Sequence, residues 1–224
     1  MLSSRERLQE RQGQHAAPRH EYLQQLVDEF QRSPDVLRKE ELVANLANFA
    51  YDPINYASLG RLRIMDLFLD ILDADQEEDG GDTSQKGTGM HSEGPRSERA
   101  TTTARAQGRR RHHLVEFALG GICNCIPDPA LQQQFIDGDG VEILGPYIVR
   151  VQLAAENELL TCELNVTLSA LTIAYSLLDS SAFADITAER FMQHMRCLER
   201  HTLVQIANTA AAFLSRYQEL LASA

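Results

Sequence analysis

The chain has no tryptophan, two lysines in 224 residues, four scattered cysteines and no apolar run of membrane-spanning length. Each shortage excludes something. Without a stretch of about 18 apolar residues there is no candidate transmembrane helix. Cys123, Cys125, Cys162 and Cys197 form no CxxC pair, so they are expected to be reduced, small core residues of a cytosolic or nuclear protein. Cys123 and Cys125 sit about 200 degrees apart on a continuous helix and cannot share one metal there. Lys39 and Lys86 are the only lysines, and the remaining basic residues are arginines, which favours forked, planar recognition over mobile point charges. A formal net charge of −11 lacks the basic field that captures nucleic acid through its phosphates. Enzyme motifs are missing too: there is no Gly-rich phosphate loop after a strand, no H-E-x-x-H and no serine elbow. No cofactor or metal is implied, and the chain is expected not to be an enzyme.

What is present is helical periodicity. Residues 1–19 lack the apolar core of a secretory signal and are expected to be a disordered tail. From residue 20, Tyr22, Leu23, Leu26, Val27 and Phe30 recur at helical spacing, and Ser33-Pro34-Asp35 breaks the run and caps the next helix. That helix begins near Val36, carries Leu42, Leu46 and Phe49 on one stripe, and ends at Asp52-Pro53. Ile64 to Leu72 reads as a third helix. Residues 73–112 run from acidic to Gly/Ser/Thr-rich to arginine-rich and cannot bury enough apolar surface to order themselves, so they are expected to be a disordered insertion. Helical pattern resumes at Leu114, with Leu119, Ile122 and Ile126 on one stripe. Further helices are expected around Leu131–Phe135, from Val141 to Val149, Glu158 to Leu178, Ile186 to Leu198 and His201 to Leu221. The expected fold is all-α, one domain over 20–224 interrupted by the insertion at 73–112.

One short phrase is written twice. VANLANFAYDP at 43–53 and LGGICNCIPDP at 119–129 place Asn48 over Asn124, Asp52 over Asp128 and Pro53 over Pro129. Removing an insertion of about 35 residues from that separation leaves a period of about 41, within the window of helical solenoid repeats. The phrase resembles the armadillo repeat, whose closing helix carries L-x-N-Φ-A: here Leu46 to Ala50 and Ile122 to Ile126. A less faithful copy runs from Leu168 to Leu178 with Ser176 at the Asn position, and LVQIANTAAAFLSRY near the end reads as a fragment of a fourth copy or a cap. More closely, ELVANLANFAYDPINY, LRIMDLFLDIL and LVEFALGGICNCIPDP resemble the armadillo repeat-containing protein 7 family in content and order, most strongly over 21–72 and 113–150. That family typically lacks an insertion at 73–112.

The resemblance implies a short right-handed armadillo-repeat solenoid of about three repeats with capping helices. It also implies a non-enzymatic role in the minor spliceosome, in the nucleus with the cytoplasm as a second location, as partner of an RNA-recognition-motif protein, RNA-binding motif protein 48. Association with RNA would then be indirect. A general armadillo adaptor and a direct single-stranded RNA binder are the alternatives; the second needs a basic groove with stacking aromatics, and the acidic balance opposes it.

In such a stack the closing helices line the concave surface, where an Asn offers one donor and one acceptor to an extended ligand backbone. Asn45, Asn48, Asp52, Phe117, Gly121, Asn124, Asp128 and Ser176 are the candidate partner-binding residues. Each has an alternative. Asn48 and Asn124 could brace neighbouring helices, Asp52 and Asp128 could serve as turn residues before proline, and Gly120-Gly121 could permit close helix packing. Cargo-binding armadillo proteins place a Trp four residues before the Asn; Ala44 and Gly120 stand there instead. His112-His113 beside Arg109 to Arg111 reads as a solvated basic edge, since no carboxylate or cysteine lies at ligand spacing.

Overall fold

The computed structural model of the chain describes residues 18–81, 113–153 and 161–223, and these contain no strand. In chain order the helices are α1 Arg19–Arg32, α2 Val36–Ala50, α3 Tyr56–Arg61, α4 Ile64–Gly81, α5 113–125, α6 Pro129–Asp137, α7 Gly140–Leu153, α8 Thr161–Leu177, α9 Phe183–Ile186, α10 Glu189–Leu198 and α11 Val204–Ser223. A 3-10 turn, Pro53–Asn55, precedes α3. After the opening pair the order is short, long, long: α3-α4-α5, then α6-α7-α8, then α9-α10-α11. Corresponding helices stack on one another, α3 on α6, α4 on α7, α7 on α10 and α8 on α11. This neighbour-to-neighbour packing is the manner of an α-solenoid.

The stripes read from the sequence are the ones that pack. Leu23, Leu26 and Val27 of α1 and Leu42, Val43 and Leu46 of α2 are buried, and one continuous apolar cluster runs from them through Phe68, Ile122, Tyr147 and Ile173 to Phe213. A solenoid unit has no core of its own, so this continuity is what stabilises each unit. Gly121 explains how α5 comes close to α4. A Cβ there would lie 2.5 Å from Cζ of Phe68, which is fully buried. α7 contains Pro146, whose missing N–H and ring clash oppose a helix interior. Its neighbours Tyr147 and Ile148 are fully buried, so packing holds the turn together.

Two of the three turns from a short helix into the following long one use a residue in the left-handed region, Arg63 at φ 51° before α4 and Asp139 at φ 57° before α7; the third, Thr187-Ala188 before α10, does not. Non-glycine residues adopt this conformation at a cost of about 1 kcal/mol, and its recurrence marks the two turns as equivalent.

Several expected boundaries shift. α4 does not stop at Leu72 but continues to Gly81, into the stretch expected to be disordered. Tyr147 Oη donates to the Leu72 carbonyl at 2.7 Å and to Asp75 at 3.1 Å, and Gln76 Nε2 donates to the Ile143 carbonyl at 2.7 Å. Those bonds from and to α7, with the helix-favouring Ala, Gln and Glu of this segment, extend the helix where apolar periodicity has ended. The rest of the expected insertion, 82–112, and most of the expected tail, 1–17, lie outside the described residues. The helix expected from Ile186 to Leu198 is two pieces, α9 and α10, separated at Thr187-Ala188. Cysteine placement differs as well: all four are free, but only Cys125 is buried and Cys197 is exposed, because Cys197 falls on the solvent side of α10, whose buried face is Phe191, Met192, Met195 and Leu198. No helix among the described residues is long and apolar enough to cross a membrane.

Candidate binding groove

The amide on α2 and the amide on α5 open onto one depression. A groove of about 370 Å³ is lined by Ala44, Ala47 and Asn48 from α2, Glu116, Phe117, Gly120 and Asn124 from α5, and Asn165, Leu168 and Ser169 from α8. Helical spacing puts them there: Ala44 and Asn48, Phe117 and Gly120, Gly120 and Asn124, and Asn165 and Ser169 are each three or four residues apart and so share a helix face. The residues one turn before the ladder amides are small, so the floor is open. A Cβ at Gly120 would have nothing within 4 Å. The two adjacent glycines therefore have opposite reasons: Gly121 faces Phe68 in the core, and Gly120 faces the groove.

The two amides divide as well. Asn124 Nδ2 donates to the Ala47 carbonyl of α2 at 3.1 Å, which ties the two closing helices together. Its own carbonyl accepts from Tyr56 Oη at 2.9 Å, and the withdrawal of that phenol from water is the first of the causes that push its pKa up, ahead of Cys125, Asp128 and Asp52. Asn48, in the first closing helix, is exposed and makes no side-chain hydrogen bond among the described residues. One amide braces the wall, and the other is offered to whatever enters.

At the other end of the groove, Glu116 is fixed from across the helix pair. Asn165 Nδ2 of α8 donates to its Oε1 at 2.6 Å, while His113 Nδ1 stands 3.4 Å from Oε2 and its ring stacks on Phe117 at 6.1 Å between centroids. His113 thus opens α5, exposed, beside two residues of the groove lining, and residues 109–112 of the expected basic edge lie outside the described residues.

The remaining candidate residues lie elsewhere. Asp52 and Asp128 begin helices as well as ending them: Asp52 accepts from Ile54 N at 3.2 Å, and Asp128 accepts from Ala130 N at 3.0 Å and Leu131 N at 3.1 Å, each with proline at the first helical position. Ser176 is turned into its own helix, its hydroxyl donating to the Thr172 carbonyl at 3.0 Å. Asn45 is exposed on α2, outside the groove lining. Gly121 is replaced in the lining by Gly120. Cys123 is half-buried and its thiol pKa is raised by burial, with Thr172 opposing; Cys125, whose thiol donates to the Gly121 carbonyl at 3.2 Å, is pushed up to about 12, chiefly by burial. Such thiols are poor nucleophiles.

Three features of the groove and of the repeat escape the sequence reading. Asn165 and Glu116 meet only because α8 packs beside α5, a pairing that local spacing cannot signal. Asn208 could have been found: Ile206-Ala207-Asn208-Thr209-Ala210 on α11 fits L-x-N-Φ-A, with Ile206 and Ala210 fully buried and Asn208 exposed. Ser180, four residues after Ser176, could also have been found by carrying the register of Asp52 and Asp128 forward. A second cavity, of about 580 Å³, opens away from the groove between α4 and the turn into α7 and is lined by Asp66, Asp70, Asp73, Asp139 and Glu142 with Arg63. There burial first, then Asp66 and Asp73, raise the pKa of the Asp70 carboxyl.

No protein-family model matches the chain. Over 56 residues, 25% of this chain, the sequence is 55% identical to armadillo repeat-containing protein 7 of Mus musculus, and the match spans 28% of that protein's length. The family likeness therefore holds over part of the chain. With an all-helical, sequentially stacked fold, it supports a scaffold for protein interaction.

Proposed function

We propose that the chain is a non-enzymatic armadillo-repeat scaffold that holds an extended segment of a protein partner in the groove between α2, α5 and α8. The observation that carries this reading is the pairing of an exposed, unpartnered Asn48 with an open Gly120 on facing helices of one groove. An amide with both its donor and its acceptor unused suits the alternating N–H and C=O groups of an extended peptide, and a glycine without neighbours lets that backbone approach closely. In this reading the helices form a right-handed solenoid: α1 and α2 open it, and the three triplets that follow are its repeats, with the exposed faces of α11 closing the stack. Following the resemblance, the partner is an RNA-recognition-motif protein, RNA-binding motif protein 48; the complex works in pre-mRNA splicing by the minor spliceosome in the nucleus, and RNA is reached through the partner.

The test is calorimetric titration of the full chain with RNA-binding motif protein 48 of the same organism, for the wild type and for Asn48→Ala. A complex is expected, weakened by about 1 to 3 kcal/mol in the variant, with the melting temperature unchanged. Equal affinity for the two would remove the groove from the reading, and absence of a complex would remove the partner.

A further inference from the structure

We propose that the segment held in the groove presents an arginine to Glu116, an inference that rests on the groove reading above. Among the described residues, Glu116 is the only charged one lining the groove, and no Lys or Arg lines it. Its side chain is 20% exposed, so it is partly withdrawn from water. What the described residues return is incomplete. Oε1 has the 2.6 Å bond from Asn165, but Oε2 has only His113 at 3.4 Å, beyond the usual length of an N–H···O bond. A withdrawn carboxylate with one oxygen poorly served is stabilised by a charge-assisted donor, and a cationic ligand side chain supplies one.

The neighbours choose arginine over lysine. Phe117 stands beside Glu116, offering a ring against which a planar guanidinium can lie. One turn on, Gly120 leaves open space, and Leu168 on α8 provides an apolar surface for the aliphatic stem. The Asn165 bond holds the carboxylate in place, so its orientation is set before the ligand arrives. Asn48 would then take the peptide backbone and Glu116 the side chain, which fixes register as well as affinity. The net charge of −11 adds a long-range attraction for any basic segment.

A display library of random linear peptides selected on the full wild-type chain tests this. Groove binders are defined as those weakened by Asn48→Ala. They are expected to share an arginine. Changing that arginine to Gln should lower affinity about tenfold for the wild type and less than about twofold for Glu116→Gln, which should itself bind the parent peptide about tenfold more weakly. Arginine to Lys should cost an intermediate amount. Glu116→Gln keeps the acceptor for Asn165, and its melting curve checks the fold; on the wild type alone, affinity for the arginine peptide should fall with added salt while that for the Gln peptide stays nearly level. Groove binders with no arginine, or an arginine whose loss costs the same in both backgrounds, would overturn the arginine site and leave the groove standing. Selected peptides that all ignore Asn48→Ala would overturn the groove and this site together.

Discussion

On the turn after α2, Asp52 accepts a hydrogen bond from the amide two residues on, Ile54 N, at 3.2 Å; after α5, Asp128 does so for Ala130 N at 3.0 Å; after α8, Ser180 does so for Ala182 N at 3.1 Å. In the first two turns proline follows, and in the third Ser181 does. The short helix then ties back to the closing helix of its own triplet in the same way twice: Tyr56 Oη donates to the Asn124 carbonyl at 2.9 Å, and Gln132 Nε2 to the Ser176 carbonyl at 3.2 Å. Between the first half of the molecule and the second the letters change and the bonds stay. What the repeat requires is a short side-chain acceptor at the turn and a donor three residues after the proline position, and Asp or Ser, Tyr or Gln each satisfy it. The Asn position is the exception, since Asn124 braces α2 whereas Ser176 bonds its own helix.

The equivalence of the halves can be broken in order of size. Leu46→Ala and Ile122→Ala in the first half and Ile206→Ala in the second should each destabilise by about 2 to 5 kcal/mol in urea titration, since all three are fully buried, two residues before Asn48, Asn124 and Asn208 and so on the opposite helix face. A change below about 1 kcal/mol at Ile206 would mean that α11 is not a closing helix like the others. The glycine pair sharpens the contrast between core and groove. Gly121→Ala should cost about 1 to 3 kcal/mol because its Cβ collides with Phe68, while Gly120→Ala should stabilise by about 0.5 to 1 kcal/mol through helix propensity. Similar effects at both would contradict their assignment to opposite faces. Removing the turn acceptors, by Asp52→Ala, Asp128→Ala and Ser180→Ala, should cost about 0.5 to 2 kcal/mol each, and a neutral Ser180→Ala would confine the turn motif to the first half. Asn124→Ala should lose about 0.5 to 1.5 kcal/mol with its bond to Ala47, and, smallest of all, Asn48→Ala should stay within about 0.5 kcal/mol of wild type. A thermal melt of each variant reads both.

The helices were legible because their apolar stripes are long, and the repeat was legible where it kept its Asn and its Asp-Pro. Legibility failed in two ways. Where side chains changed but bonds did not, as at Ser180, searching for residue types missed a position that searching for acceptors would find. Where partners come from separate units, as with Glu116 and Asn165 or Tyr147 and Asp75, no local pattern announces them; beyond Leu72 such contacts hold α4 to α7 at Asp75 and Gln76. The Gly120-Gly121 pair left two explanations open; close packing holds at Gly121, against Phe68, while Gly120 is open. Asn48 and Asn124 likewise had two open explanations, and only the packing of α2 against α5 could assign bracing to Asn124.

The most direct measurement fills the groove without touching the core. In Gly120→Tyr the new side chain starts where no atom lies within 4 Å, in the groove that Asn48 and Leu168 also line, so the melting temperature should stay within a few degrees of wild type. Affinity for RNA-binding motif protein 48, measured by titration on the same preparation, should fall at least about tenfold as the groove is occluded. A folded Gly120→Tyr chain that binds with wild-type affinity would contradict the assignment of this groove as the binding surface.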